Sequence, residues 1–191
     1  MLNARVVVAG INHHFGFNKE GDYKQLWAWQ GKFNFEAEEI PEQEVYHETV
    51  SSTKIRQAIS EGYIQRANAY LDHYYIIMGK PQEYGMYVSS DMPHLFKIPQ
   101  TEECKLLPPP GIYAVSVESV PLHSKGMVII HKNPEDKPEV LVNIFDTPGL
   151  YPDQRVTLYF HKRILGAVNL SDSKATSKIN NAKEEISDLI Y

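Results

Sequence analysis

The chain has 191 residues, 42% hydrophobic and 23% charged, with 19 basic against 24 acidic side chains and a formal net charge of −5. This length accommodates one large domain or two small ones with buried cores, and the composition excludes wholesale disorder. An acidic balance with no basic run argues against a nucleic-acid or anionic-membrane surface, and the single cysteine, Cys104, excludes an internal disulfide and suits a reducing cytoplasm.

Met1 to Gly10 holds an apolar run too short for a signal peptide, and no long apolar segment follows, so a soluble protein is expected. Arg5 to Ala9 reads as a buried strand closed by Gly10, of the kind found in parallel sheets. A loop rich in glycine, histidine and asparagine follows to Asp22, and Tyr23 to Gln30 has helical character. Strand, glycine loop and helix make one α/β half-unit. His13 and His14 are adjacent, so their side chains point apart, and no third ligand has suitable spacing for a metal site. Phe33 to Ile40 is expected as a second strand, and Pro41 to Thr49 as a polar lead-in.

Ser51-Ser52-Thr53-Lys54-Ile55-Arg56 then opens a helix. Three hydroxyl residues suit an N-cap, Ile55, Ala58 and Ile59 repeat at helical spacing, and Glu61-Gly62 supplies a stop. The first turn offers unpaired N–H groups beside hydroxyls, with Lys54 and Arg56 one turn away, so the segment reads either as a plain cap or as a phosphate site. Tyr63 to Leu71 continues as a second, antiparallel helix with Ile64, Ala67 and Leu71 on one face.

From Tyr74 the chain becomes β-branched and aromatic, punctuated by glycine and proline, which reads as an all-β domain. Strands are expected at Ile112 to Val120, Gly126 to His131, Glu139 to Phe145 and Arg155 to His161, closing as a small antiparallel barrel. Ser171 to Ile190 is expected as a final helix capped by Ser171 or Asp172, with Ile179, Ala182, Ile186 and Leu189 on its apolar side.

Val6 to Gly10 with the loop to Gly16, the Gly21-Asp22 pair and Ser51 to Arg56 resemble the adenylyltransferase part of one family. Tyr75 to Gly79, Lys105 to Val115, Lys125-Gly126-Met127 and Asn143-Ile144-Phe145-Asp146 resemble its kinase part. The family is the bacterial bifunctional riboflavin kinase/FMN adenylyltransferases, also called FAD synthetases.

The resemblance implies an α/β plus all-β fold: a remnant of a Rossmann-like nucleotidyltransferase domain with a helical connector over residues 1–72, then a riboflavin-kinase β-barrel with a C-terminal helix over 73–191. It implies ATP, Mg²⁺ and a flavin, riboflavin or FMN, as ligands. It assigns Ser51, Ser52, Thr53 and Arg56 to ATP phosphates, and Gly10, Asn12, His14 and Gly16 to the nucleotide loop.

Several positions depart from the family pattern. The His-x-Gly-His motif that precedes the corresponding strand is absent, and with it the electrostatic stabilisation of adenylyl transfer. Asn12 stands where aspartate is usual. The Pro-Thr-Ala-Asn signature is replaced by Met92-Pro93-His94-Leu95-Phe96 or by Ile98-Pro99-Gln100-Thr101. Leu141 stands where the family has the glutamate that accepts the riboflavin hydroxyl proton. Leu165-Gly166-Ala167 stands where an Arg-Glu pair flanks the flavin.

Glu139, two residues from Leu141 and on the same strand face, is the remaining candidate base. The expectation is therefore a relative with impaired chemistry that binds flavin or nucleotide or a partner protein; the alternative is a divergent active kinase. Unpaired strand edges at Val6 to Ala9 further call for a homo-oligomeric or heteromeric partner.

Overall fold

The computed structural model describes residues 4–10, 13–41, 44–45, 48–84, 93–99, 105–119, 122–145 and 154–190. The chain divides into two compact units, residues 1–50 and 51–191.

In the first unit, strand β1 (Val6–Gly10), helix α1 (Tyr23–Phe33) and strand β2 (Glu36–Ile40) form a βαβ unit whose strands pair in parallel, Val6 opposite Glu36 and Gly10 opposite Ile40. Asp22 starts α1 by accepting the amide of Gln25 at 2.9 Å, and Asn34 ends it in the left-handed conformation, φ 53°. The helix therefore runs to Phe33, and the second strand begins at Glu36 instead of Phe33. Strands β3 (Glu44–Val45) and β4 (Glu48–Thr49) form a short ladder in the expected polar lead-in.

The expected burial of the first strand is corrected. Ala9 is buried, but Val6 is 46% and Val8 53% exposed. Strand side chains alternate between faces, and α1 lies against this two-stranded sheet, whose edges among the described residues carry no further strand.

The second unit opens with α2 (Ser52–Glu61) and α3 (Ile64–Leu71), which pack on each other across a turn at Gly62. Among the described residues seven strands follow: β5 (Tyr75–Gly79), β6 (Gln82–Glu83), β7 (Phe96–Ile98), β8 (Gly111–Ser119), β9 (Leu122–Lys132), β10 (Pro138–Ile144) and β11 (Val156–Leu165). They form one antiparallel sheet in the order β5-β11-β8-β9-β10-β7-β6. A final helix, α4 (Ala175–Leu189), ends the chain.

This sheet is curled. Seven strands laid flat would hold their outer members about 29 Å apart at the usual strand spacing. Yet β5 and β6, the two edges, are joined through only Lys80 and Pro81, a link that reaches at most about 11 Å. The edges therefore approach each other there, and a Cβ placed on Gly79 of β5 would lie 2.5 Å from Ile98 Cγ2 of β7.

Both faces of the sheet are covered, which is why its strands read as continuous apolar runs. Along β8 to β10, one set of alternating residues (Tyr113, Val115, Val128, Ile130, Val140, Val142) joins Ala58, Ile59, Ile64 and Ala67 of α2 and α3 in one core. The other set (Ile112, Ala114, Met127, Ile129, Leu141) joins Ala175, Ile179, Ala182 and Ile186 of α4 in a second. Asn68 ties α3 to the sheet: its amide donates to the Phe160 carbonyl at 2.8 Å and its oxygen accepts the Tyr75 amide at 2.8 Å.

The last helix begins at Ala175, later than Ser171. Asn169 and Asp172 first accept the amides of Ser171 and Lys174, each at 3.0 Å, and hold residues 169–174 in turns. Its buried side is Ala175, Ile179, Ala182 and Ile186, while Leu189 is partly exposed. Among the described residues no helix is long and apolar enough to cross a membrane.

Gly79 tests the curled closure. Gly79→Val should destabilise the protein by about 1–3 kcal/mol through overpacking, and adding Ile98→Ala should cost less than the two single changes summed. Urea denaturation of the four variants measures that coupling; strict additivity would mean that the edges do not meet at these residues.

Candidate functional site

The β9–β10 hairpin builds one end of the sheet from its turn outward. Asn133 accepts the amides of Glu135 at 3.0 Å and Lys137 at 2.9 Å, and Asp136 takes the left-handed conformation at φ 61°. The turn sets Glu139 directly opposite His131. Both lie on the face that carries Ile129 and Leu141, at the end where cover by α4 gives way to the segment 167–171.

There a cavity of about 830 Å³ opens, lined by Tyr84, Pro110, His131, Asn133, Glu139 and the chain from Ala167 to Ser171. Lys97 Nζ donates to Glu139 Oε1 at 2.7 Å, Asn133 Nδ2 reaches the same oxygen at 3.4 Å, and His131 Nε2 lies 3.4 Å from Oε2. The Glu139 side chain is 13% exposed. His131 Nε2 is buried and makes no hydrogen bond of good geometry, so its contact with Glu139 is one of proximity and charge. The ring of Tyr84 meets His131 edge-on at 6.3 Å.

Burial pushes the Glu139 carboxyl upward, but the hydrogen bond and charge of Lys97, with His131 and Asn133, outweigh it and hold the group below the usual carboxylate range. Burial and the Glu139 charge together push the Tyr84 phenol up, against a smaller opposing effect of Lys97. The cavity thus carries a fixed carboxylate acceptor, a protonated phenol and an imidazole on a wall of mixed polarity, with Pro110, Ala167, Val168 and Leu170 beside Lys132, Asn133, Asn169 and Ser171.

Leu141 is fully buried in the core beneath α4. Its neighbour two residues back is the one that reaches the cavity. His94 is exposed and pairs with Glu83 at 2.9 Å, while Leu95 and Phe96 are buried.

The α2 segment stands apart from this cavity. Ser51 is the N-cap: its hydroxyl accepts the Lys54 amide at 3.3 Å, and its carbonyl accepts that of Ile55 at 3.0 Å. Ser52, Thr53 and Arg56 are exposed on the first turn and a half. Gly10, His14 and Gly16 belong to the first unit. Gly10 ends β1, His14 is exposed, and Gly16 adopts φ 78° ahead of a single 3₁₀ turn, a conformation that favours glycine. Asn12, Met92, Gln100 and Thr101 lie outside the described residues.

Comparison with known proteins adds three findings. Residues 1–54 match the family model described as FAD synthetase. Over 168 residues, 86% of this chain, the sequence is 27% identical to a bifunctional riboflavin kinase/FMN adenylyltransferase of Listeria monocytogenes. The chain is thus similar to FAD synthetases over its first 54 residues and, more distantly, to one bifunctional relative along most of its length. It spans about half, 49%, of the length of that curated relative. The fold is similar to a crystal structure titled macrolide-efflux protein from Streptococcus pneumoniae, with a TM-score of 0.82 at 23% identity, covering 99% of this chain and 62% of that one.

Sequence reasoning singled out Glu139 in this cluster but not Lys97, His131, Asn133 or Tyr84. The signal for His131 was present in the Asn133-Pro134 turn, since a hairpin centred there sets residues 131 and 139 opposite each other. Lys97 and Tyr84 come from distant strands and carry no comparable local signal.

The lowered Glu139 pKa stabilises the fold above the ordinary carboxylate pKa of 4.5, and that contribution is lost as pH falls below it. Glu139→Gln should therefore flatten the acid limb of a stability-versus-pH curve between about pH 5 and 3, measured by urea midpoints. Lys97→Met, which removes the two strongest effects opposing burial, should likewise shrink the loss on acidification and lower stability at neutral pH.

Proposed function

We propose that residues 51–191 form a flavin-binding module of the riboflavin-kinase type, with the Glu139 cavity as the flavin site and little or no kinase activity. The reading carries over the riboflavin kinase/FAD synthetase resemblance to this chain. Its central observation is the cavity itself, which sits beside Leu165-Gly166-Ala167, the segment that corresponds to the family's flavin-flanking pair, and which presents one ionised carboxylate. A volume of about 830 Å³ suits a tricyclic ligand.

Impaired chemistry is supported by the same residues. Leucine at position 141 accepts no proton. Glu139, held ionised by Lys97, is a weak base for a substrate hydroxyl, and loss of a well-matched base costs about 10²–10⁴-fold. Mg²⁺ takes hard oxygen ligands, and Pro93, His94, Leu95 and Phe96 offer no such side chain, so no step is assigned to the metal here. Residues 1–50 correspond in this reading to nucleotidyltransferase-like α/β structure, and Ser52, Thr53 and Arg56 to residues of its ATP-phosphate site.

Riboflavin added to the protein should lose fluorescence, and incubation with ATP and Mg²⁺ should yield no FMN or FAD by chromatography. Ala167→Trp, which fills the cavity from an exposed position, should abolish the quenching while leaving the circular dichroism unchanged. FMN formation that disappears in Glu139→Ala would instead establish the divergent kinase.

The same reading includes a partner at the β1–β2 sheet, because Val6 and Val8 remain exposed there. Sedimentation across a hundredfold concentration range should show self-association or, with a partner, a heteromer. A monodisperse monomer that captures no partner chain would remove this part of the reading.

A further inference from the structure

A second cavity, of about 610 Å³, lies at the turn between α2 and α3 and is lined by Gly62, Tyr63, Arg66, Lys162 and Arg163 among others. Two of its cations come from strand β11. The pairing of β11 with β8 shifts register between Phe160 and Lys162 and again between Arg163 and Leu165, so the two cations lie between irregularities, in regular register opposite Ala114 and Tyr113. Both line the cavity.

Arg163 is held in place by its surroundings. Its Nη2 donates to the Pro110 carbonyl at 2.7 Å, and its guanidinium lies 6.0 Å from the centre of the Tyr113 ring. Glycine at 62 and 111 leaves it room: a Cβ on Gly62 would come within 3.0 Å of Nη1, and one on Gly111 within 2.9 Å of Nε. Burial pushes the Tyr113 phenol up to about 12, against the opposing charge of Arg163, so this neighbour brings no negative charge. Arg163 Nε is buried without a hydrogen-bond partner.

Among the described residues no carboxylate pairs with Arg163 or with Arg66, which approaches only the ring of Tyr63 at 6.0 Å. Lys162 reaches Glu185 at 3.9 Å across solvent, a weak contact. Glu61, the one acidic residue lining the cavity, accepts a bond from Gln57 at 2.9 Å. In a chain of net charge −5, two unpaired arginines and a lysine at one cavity are a local inversion of sign. The first amides of α3, which Tyr63 caps with no side-chain bond, add positive partial charge at its edge.

We propose that this cavity binds a phosphate or pyrophosphate group, with Arg66 and Arg163 as the principal cations and the half-exposed Tyr63 ring at its rim. The site is separate from the Ser51 cap, which stands at the opposite end of the ten-residue helix α2, about 15 Å away, and from Arg56, about 9 Å along the axis from Gly62. It is also separate from the Glu139 cavity, so its failure would leave the flavin reading intact.

The test titrates the full chain calorimetrically with inorganic phosphate, pyrophosphate and ADP at 150 mM salt, with sulfate as control. Saturable binding of phosphate or pyrophosphate is expected, weakened about tenfold or more in Arg66→Gln, given the usual strength of hydrogen bonds to charged groups. Arg163→Lys, which keeps a charge, should also weaken binding because the planar fork is lost. Lys137→Gln, which removes an exposed cation at the β9–β10 turn, should leave it unchanged. Binding of ADP alone would extend the site to a nucleoside carrying the pyrophosphate; binding of all three would limit recognition to the phosphates. No saturable binding, equal binding of sulfate, or loss in Arg56→Gln instead of Arg66→Gln would overturn the proposal. Because Arg66 is exposed, its variant reports binding even where an Arg163 variant unfolds.

Discussion

Burial of one curled sheet on both faces is the constraint that organises residues 51–191. Tyr113 and Ile112, adjacent in β8, are each completely buried and point into different cores. Neither core closes without a helical cover, so α2 with α3 on one side and α4 on the other are required by the strands. A fully buried aliphatic or aromatic side chain is worth about 1.5–3 kcal/mol, and these strands place several on each face. Detaching either cover would expose a whole row of them.

The Glu139 cavity is a consequence of where that cover stops. Alternation puts Glu139, Leu141 and Asn143 on the α4 face of β10, and only the first of them reaches past the helix into the cavity. A carboxylate at position 141 would be sealed beneath α4 without water. At position 139 the carboxylate is tolerated because Lys97, His131 and Asn133 surround it, and the same partners that make its burial affordable lower its basicity. Structural compensation and loss of general-base character are one effect.

The α2–α3 turn shows a second way in which packing creates chemistry. Gly62 ends α2 with φ 81°, a conformation that favours glycine, and the same missing side chain leaves space for the Arg163 guanidinium. The backbone of the prolines before β8 then supplies the acceptor that fixes Arg163. A helix stop, strand β11 and a proline segment from three parts of the chain thus meet at one group.

Much of this was legible in the residues themselves. Apolar periodicity placed α2, α3 and the strands from Gly111 onward, hydroxyl and glycine punctuation marked Ser51 and Gly62, and the hairpin turn at Asn133 was readable from Asn-Pro. These are local signals, governed by backbone preference and by repeats of two or 3.6 residues. The exposure of Val6 and Val8, the late start of α4 and the extension of α1 to Phe33 were not legible, because each depends on what packs alongside or on side chains that compete for backbone amides. The meeting of Lys97 with Glu139 and of Arg66 with Arg163 joins residues far apart in sequence. Sequence by itself determined the elements and which residues of each are apolar; only the tertiary structure decided which polar residues face one another, because those pairings follow from sheet order and curl that no local pattern encodes.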